Sequence, residues 1–209
     1  MADALLADEP EEHAILDREV IFEGHILGVV RERFHYLGRE LQREFVEHPG
    51  AVAVLALDEH ERVLVIKQYR HPVRYREWEI PAGLLDFAGE SAFAAAQREL
   101  AEEADLVATD WHLLGEFLTT PGGSNEAIRI YLARGLSATP EPFPREDEEA
   151  DMERRWVGLD ELVDGVLARR LQNPSLVGGV LAAAASRARD WVNLGSPEEP
   201  WTRHPRLDF

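Results

Sequence analysis

The chain has 209 residues, a length typical of one globular domain or of one domain with a small extension. It carries 22 Lys plus Arg against 40 Asp plus Glu, a net charge of −18, and a surface this acidic repels the phosphates of nucleic acids and of anionic lipids. The absence of cysteine excludes disulfides, thiolate catalysis and zinc sites built on cysteine. The N-terminus is acidic rather than basic as in a signal peptide, and the longest apolar run, residues 176–185, is about half as long as a bilayer span requires. We therefore expect a cytoplasmic protein that binds neither nucleic acid nor a membrane.

The first part of the chain has the pattern of β-structure. Turn-like pairs at residues 23–24 and 38–39 separate three runs of apolar and β-branched residues, which predicts a small antiparallel meander from residues 19–22, 28–36 and 41–46. Two further apolar runs, residues 51–57 and 62–69, are joined by a short polar link and predict a buried hairpin. A short strand is predicted at residues 78–80.

The spacing of the apolar residues changes at Glu90. Phe93, Ala96, Leu100 and Ala104 recur at intervals of three and four residues, which predicts a helix with one apolar stripe over residues 90–104. Later strands are predicted at residues 113–118, 127–133 and 155–157, and helices at residues 160–170 and 175–191. Because strands and helices mix without regular alternation, we expect an α+β fold or a mixed sheet sandwiched between helices.

Three carboxylates share one face of the predicted helix. Glu99, Glu102 and Glu103 lie at positions i, i+3 and i+4, a spacing at which like charges destabilise a helix by about 0.2–0.5 kcal/mol per pair. A hard divalent cation such as Mg²⁺ reverses that repulsion and leaves coordination sites for a substrate phosphate. The alternative interpretation is a solvated acidic face on an acidic protein.

The residues around these glutamates resemble the Nudix box, in which a glycine and a spaced glutamate precede the pattern Arg-Glu-apolar-x-Glu-Glu-x-Gly-apolar. The matching residues are Gly83, Glu90, Arg98, Glu99, Leu100, Glu102, Glu103 and Leu106. The chain departs from the pattern twice: six residues rather than five separate Gly83 from Glu90, and Asp105 replaces the last glycine. Asp105 is a tolerable substitute at a helix C-terminus, where a left-handed residue is common.

The resemblance implies the Nudix fold and a magnesium-dependent hydrolase, with Mn²⁺ as the alternative metal. By position in the box, Glu99 and Glu103 would be the main metal ligands, Glu102 would join them or bridge ions during catalysis, and the carbonyl of Ala82 would complete the shell. Gly83, Glu90 and Arg98 would be structural, since Arg98 would hold the glutamates in place with Glu90 as its best partner.

Sequence outside the box is similar to the ADP-ribose pyrophosphatase subfamily, and most closely to its actinobacterial members. The similarity lies in the loop around Pro121, in residues 65–90 with their longer loop, and in the acidic segment before Met152. It implies hydrolysis of ADP-ribose to AMP and ribose 5-phosphate by a homodimer. The expected organisation is an N-terminal meander for dimerisation over residues 1–48, a Nudix domain over residues 49–195 and a C-terminal tail over residues 196–209.

The same similarity assigns roles to residues outside the box. Glu149, with Glu148 as the near alternative, would orient or deprotonate the attacking water. Arg70 and Arg74, in a basic cluster that also includes Arg76, would bind the diphosphate, because guanidinium groups match phosphate oxygens. The other expected substrate contacts are Trp78 and Glu79 at the adenine, and Gly123, Ser124 and Glu126 at the terminal ribose.

Two other functions stay open at the level of sequence. A related pyrophosphatase for ADP-glucose or GDP-mannose would share the box and differ in its pockets. A non-catalytic Nudix module that senses ADP-ribose or another nucleotide is less consistent with the chain, because such modules commonly lose box carboxylates and this chain keeps all of them.

Overall fold

The computed structural model of the protein describes residues 6–143, 152–202 and 204. Its strands are β1 (Ile15–Glu23), β2 (Gly28–Tyr36), β3 (Arg39–Glu47), β4 (Ala51–Ala56), β5 (Arg62–Arg70), β6 (Tyr75–Glu79), β7 (Ala82–Leu84), β8 (Leu106–Leu118), β9 (Ala127–Ala138) and β10 (Glu153–Gly158). Its helices are α1 (Ala92–Ala104), α2 (Leu159–Leu167) and α3 (Pro174–Arg187). None of the helices in these described ranges is long and apolar enough to span a membrane.

The first three strands form the predicted antiparallel meander. β2 lies between β1 and β3, and Val30 is opposite Val20 on one side and Phe45 on the other. The β2–β3 turn consists of Leu37 and Gly38, which both have positive φ angles of 47° and 74°. Two consecutive residues with positive φ match the right-handed twist of a two-residue hairpin, so the turn fixes the register of this pair.

A mixed four-stranded sheet forms the centre of the molecule, in the order β7-β4-β9-β8. β4 and β9 are parallel, whereas the other two pairs are antiparallel. Every residue of β4 is buried because the two faces of the strand are both covered. Val52 and Val54 belong to the apolar cluster that includes α1, whereas Ala53 and Leu55 belong to the cluster that includes α3. The predicted α+β fold, with a mixed sheet between helices, is confirmed.

The predicted hairpin of residues 51–57 and 62–69 is wrong. β5 lies in a separate antiparallel sheet of order β10-β5-β6, and a single bridge from Leu57 to Val63 marks the point where the chain passes from one sheet to the other. The short link does turn the chain, since Asp58 accepts hydrogen bonds from the backbone N–H groups of His60 and Arg62. Burial raises the pKa of Asp58, but its hydrogen bonds with Arg62 and His60 outweigh this and leave that pKa below its usual value.

Helix α1 begins and ends at recognisable caps. Ser91 is the N-cap, and its hydroxyl accepts a hydrogen bond from the N–H of Ala94 at 3.1 Å. Asp105 is the C-cap, in the left-handed conformation with φ 54° and ψ 37°. The helix therefore starts two residues later than the spacing of apolar residues alone predicts. Strand β7, and the first half of β8 from Leu106 onwards, are absent from the sequence prediction.

Candidate active site

The carboxylate face of α1 lies at the edge of its apolar stripe. Ala96 and Leu100 are fully buried, and the neighbouring Glu99 and Glu103 are only 9% and 5% exposed. One carboxylate oxygen of Glu103 accepts a hydrogen bond from the backbone N–H of Ala82 in β7 at 2.8 Å. The helix is thereby joined to the short strand at the edge of the central sheet.

Gly83, in the same strand, lies directly against Glu99. A Cβ atom at position 83 would be 1.9 Å from Oε1 and 2.0 Å from Cδ of Glu99, far inside van der Waals contact. The glycine of the box is therefore required here by the space that the Glu99 carboxylate occupies.

We expect the Gly83→Ala variant to displace the Glu99 carboxylate and to lower kcat and the apparent metal affinity by about 10- to 100-fold. The melting temperature should also fall, because Cγ of Glu99 would be only 2.6 Å from the new Cβ atom and Glu99 is only 9% exposed, so the whole side chain must move. Titration of activity against metal concentration measures the effect. Gly115→Ala is the matched control, since nothing lies within 4 Å of a Cβ atom there. Equal activity of the two variants would contradict this role of Gly83.

Arg98 connects three of the box glutamates. Its Nε and Nη2 donate to the two carboxylate oxygens of Glu90 at 3.0 and 2.9 Å, and its Nη1 donates to Glu99 at 2.5 Å and to Glu102 at 3.0 Å. The ring of Phe87 lies 4.7 Å from the guanidinium carbon. Hydrogen bonds to Glu90, together with the charge of Glu99, raise the pKa of Arg98 further above its usual value. Arg98 is thus permanently charged and fixes the orientation of the carboxylates.

The chemistry of these side chains fits a hard divalent cation. Arg98 supplies one positive charge to the three carboxylates that it contacts, and Glu103 adds a further negative charge beside them. In the arrangement that the structure describes, no group of three or more His, Asp or Glu side chains converges as a metal shell within residues 6–143, 152–202 and 204. Glu99 and Glu102 accept hydrogen bonds from Arg98, and Glu103 accepts one from the N–H of Ala82. Oxygen ligands for Mg²⁺ are nevertheless present on one helix face beside a strand backbone.

The predicted substrate residues Arg70 and Glu79 contact each other. Arg70 donates from Nε and Nη2 to the two carboxylate oxygens of Glu79 at 2.8 and 2.7 Å, and Glu79 is only 2% exposed. The register of β5 and β6 places this pair on the same face as Leu64, which packs in the cluster of α1. The ion pair therefore lies on the side of its sheet that faces the carboxylate helix.

Glu77 is a neighbouring residue that sequence reasoning missed. Burial and the negative charge of Glu79 raise its pKa, although Arg70 acts in the opposite direction. The signal in the sequence was the alternation of Glu77 and Glu79, which places both carboxylates on one face of a strand.

Trp78 and Arg74 occupy different positions on this hairpin. Trp78 is on the opposite face and packs against the core cluster of Val65, with the ammonium of Lys67 5.1 Å from its ring centre. Arg74 is exposed at the turn between β5 and β6 and has a positive φ of 57°. By these contacts, Trp78 is at least partly a core residue.

The loop that was predicted to bind ribose is joined to the N-terminal meander. The N–H of Val46 at the end of β3 donates to the carbonyl of Gly123 at 2.9 Å, and the side chain of Asn125 accepts from the N–H of His48 at 2.9 Å. Within the loop, Ser124 Oγ accepts from the N–H of Glu126 at 3.1 Å. Glu126 also accepts from the hydroxyl of Thr119 at 2.5 Å. Asn125 and Thr119 were not singled out from the sequence; the partner of Asn125 is 77 residues away, whereas Thr119 contacts Glu126 within the same loop.

Most of the predicted residues in the described part of the chain thus fall into three groups of contacts: the box with β7, the pair Arg70 and Glu79, and the loop of Gly123, Ser124 and Glu126. Arg74 and Trp78 lie outside these groups. The proposed water-activating residues Glu148 and Glu149 lie outside the described residues.

Comparison with known proteins identifies the class of protein that has this fold and this carboxylate helix. A solved structure described as an ADP compounds hydrolase superimposes with a TM-score of 0.71, covering 88% of this chain and 98% of that chain at 18% identity, which shows a common fold. A family model for the Nudix domain matches residues 47–175.

Two curated relatives extend the match beyond the box. An ADP-ribose pyrophosphatase of Mycobacterium tuberculosis is 40% identical over 171 residues, covering 81% of this chain and 82% of the relative. An ADP-ribose pyrophosphatase of Bacillus subtilis is 35% identical over 162 residues, covering 77% of this chain and 86% of the relative. The chain belongs to the Nudix family.

Proposed function

We propose that the protein hydrolyses ADP-ribose to AMP and ribose 5-phosphate in a reaction that depends on Mg²⁺, with Mn²⁺ as the alternative metal. The observation that carries the proposal is the match to two ADP-ribose pyrophosphatases over most of the chain, combined with a complete set of box carboxylates. Water attacks one phosphorus, the bridging P–O bond breaks, and the two phosphates leave as the monoesters AMP and ribose 5-phosphate. Nudix hydrolases generally require a divalent metal.

The metal would be held by Glu99 and Glu103, with Glu102 and the carbonyl of Ala82 as further ligands. When bound, it supplies charge neutralisation for the diphosphate and lowers the pKa of a coordinated water. Arg98 contributes by orientation: its hydrogen bonds to Glu99 and Glu102 hold two acidic side chains on the same side of the helix. Positioning and charge neutralisation account for most of the rate acceleration in phosphoryl transfer.

Glu149 would orient or deprotonate the attacking water, with Glu148 as the alternative. Several carboxylates that share one site raise the pKa of one of them, which suits a general base.

The substrate contacts are proposed on the pair Arg70 and Glu79, on the loop of Gly123, Ser124 and Glu126, and on Arg74 and Trp78. Arg70 and Arg74 would bind the diphosphate. Two nitrogens of Arg70 donate to Glu79, so Arg70 would either keep this ion pair while it binds the diphosphate or exchange Glu79 for the diphosphate. Glu79 would accept a hydrogen bond from the adenine amino group only while its carboxylate is shared between that group and Arg70. Trp78 lies on the opposite face of the sheet from Glu79 and would be the alternative contact for the base. Gly123, Ser124 and Glu126 would line the terminal ribose pocket.

We also propose that residues 1–48 form a dimerisation region beside a Nudix domain of residues 49–195 and a tail of residues 196–209. All nine residues of β1 are exposed, and the apolar residues Val20 and Phe22 are 59% and 56% exposed. Apolar side chains exposed together on one sheet are typical of a protein interface. We propose that a second copy of the chain covers this surface of β1 in a homodimer. Light scattering on the purified protein measures the mass that tests this.

A substrate panel tests the proposed activity. It contains ADP-ribose, ADP-glucose, GDP-mannose, NADH and diadenosine polyphosphates, each with Mg²⁺, with Mn²⁺ and with a chelator, and the products are separated by chromatography. We expect AMP release that requires metal and has its highest kcat/KM with ADP-ribose.

The other outcomes of the panel separate the alternatives. A preference for ADP-glucose or GDP-mannose would retain the chemistry and reject the proposed sugar specificity. Tight binding of ADP-ribose without turnover of any compound would reject an enzyme in favour of a nucleotide sensor.

A further inference from the structure

A cavity of about 810 Å³ lies between the loop before α1 and the C-terminal tail. Leu85 and Phe87 line it from the loop, which is the segment one residue longer than the Nudix pattern. Trp201 and His204 line it from the tail, and Tyr131 of β9 lines it from the central sheet. The volume is within the range of cavities that bind a small molecule.

Buried side chains hold the tail against the sheet. Trp201 is only 5% exposed, and the guanidinium carbon of Arg129 lies 4.8 Å from the centre of its ring. Nη1 of Arg129 donates to the carbonyl of Glu199 at 2.7 Å, and Nε2 of His204 donates to the carbonyl of Pro49 at 3.1 Å. The tail wall of the cavity is therefore fixed by contacts with the rest of the chain.

The hydroxyl of Tyr131 has no hydrogen-bond partner within residues 6–143, 152–202 and 204, although the residue is fully buried. Its charged neighbour Arg129 offers donors but no acceptor, so the hydroxyl proton is unpaired in this environment. Burial raises the pKa of Tyr131, although Arg129 acts in the opposite direction, and the group is protonated at neutral pH. Because an unpaired buried hydroxyl is costly and Tyr131 lines the cavity, an acceptor on a bound molecule would stabilise it.

The charges around the cavity disfavour an anionic ligand. Arg129 lines the cavity, but its guanidinium donates to the carboxylate of Glu116 and to the carbonyl of Glu199. The carboxylates of Glu198 and Glu199 belong to the same lining, and both residues are exposed. A phosphate or a carboxylate at this position would meet negative charge and a cation that is already paired.

Aromatic side chains supply much of the remaining wall, from Phe87, Phe93 and Trp201 beside the ring of Tyr131. Such rings pack favourably against a planar ring of a ligand. We propose that this cavity is a binding site for an uncharged aromatic heterocycle, such as a nucleobase or a nucleoside, that accepts a hydrogen bond from the Tyr131 hydroxyl.

The site is separate from the metal ligands proposed on α1. Glu99 lies against Gly83 in β7, whereas Tyr131 belongs to β9, and β4 lies between these two strands. Glu90 is the box glutamate that lines the cavity, and both of its carboxylate oxygens accept from Arg98. Binding at this site therefore requires neither a metal nor the proposed hydrolysis.

Calorimetry in the presence of chelator tests the site with two uncharged compounds, adenosine and nicotinamide, and with nicotinate as the negatively charged counterpart of nicotinamide. We expect the uncharged compounds to bind, and nicotinate to bind about fivefold more weakly than nicotinamide because of one like charge near solvent. Glu198→Gln removes a charge from an exposed side chain and should narrow this difference.

Tyr131→Phe tests the hydroxyl directly. The Kd of the uncharged compounds should rise by about 2- to 10-fold, the effect of one hydrogen bond, whereas the melting temperature without ligand should not fall, since the hydroxyl has no partner to lose. Tyr36→Phe is the matched control, because Tyr36 lies in β2 and is 39% exposed. Excess ADP-ribose should not displace the bound compound, since the two sites differ.

Four results would overturn the inference. These are no binding of adenosine or nicotinamide, an equal Kd in the Tyr131→Phe and Tyr36→Phe variants, displacement by ADP-ribose, and a lower melting temperature of Tyr131→Phe without ligand. Displacement would place the compound in the active site, and the lower melting temperature would show that the protein itself pairs the hydroxyl. Each result leaves the proposed hydrolysis intact, because the substrate panel measures that activity separately.

Discussion

Replacement of Glu103 by glutamine is expected to reduce kcat by at least about 10³-fold, which corresponds to roughly 4 kcal/mol of transition-state stabilisation. The carboxylate is a proposed metal ligand, and an amide is neutral and a poorer ligand for a hard cation. The amide oxygen can still accept the hydrogen bond from Ala82, which Glu103 accepts at 2.8 Å, so the junction between helix and strand should persist. We expect the same direction for Glu99→Gln.

Steady-state kinetics over a range of Mg²⁺ concentrations, together with a melting curve, separate loss of metal binding from loss of fold. Glu59→Gln makes the same chemical change at a side chain that is 84% exposed, and should leave kcat unchanged. A Glu103→Gln protein with kcat near that of the Glu59→Gln control at saturating metal would remove Glu103 from the proposed ligands.

Glu149→Gln is expected to lower kcat by about 10²- to 10⁴-fold, the range of a general base, while substrate affinity is largely retained. Glutamine can still orient a water by hydrogen bonding but cannot accept its proton. The measurements are kcat from initial rates and the Kd of ADP-ribose from calorimetry in the presence of chelator, where turnover is suppressed.

Glu148→Gln is the matched variant for this experiment, because it removes one charge from the adjacent position. A larger loss with Glu148→Gln than with Glu149→Gln would transfer the role to Glu148. Near-normal kcat in both variants would exclude Glu148 and Glu149 as the general base.

Local patterns were sufficient to predict the carboxylate helix. The interval between Phe93, Ala96 and Leu100 reports which face of α1 is buried, and it depends only on the geometry of one helix. The positions of Glu99 and Glu103 relative to that stripe follow from the same period. The meander of β1, β2 and β3 was predictable for a similar reason, since its turns connect strands that are adjacent in sequence.

The partner of β4 was not predictable in this way. Its apolar run indicates a buried strand but does not identify the strand beside it, and the short polar link suggested β5. In the structure β4 pairs with β9 in parallel, with Ala51 opposite Ile128. The link redirects the chain into another sheet, so proximity in sequence favoured the wrong neighbour.

Contacts between distant segments also determined the details of the site. The pairing of Arg70 with Glu79 depends on the register of β5 and β6, and the space beside Gly83 is occupied by Glu99 from another element. The sequence by itself determined the chemical type of the site and the helix that carries it, because these depend on residue identity and a short repeat. Only the tertiary structure decided which strands meet and how the tail is joined to Arg129 and Pro49, because hydrogen bonds across 70 and 155 residues leave no periodic signal in the chain.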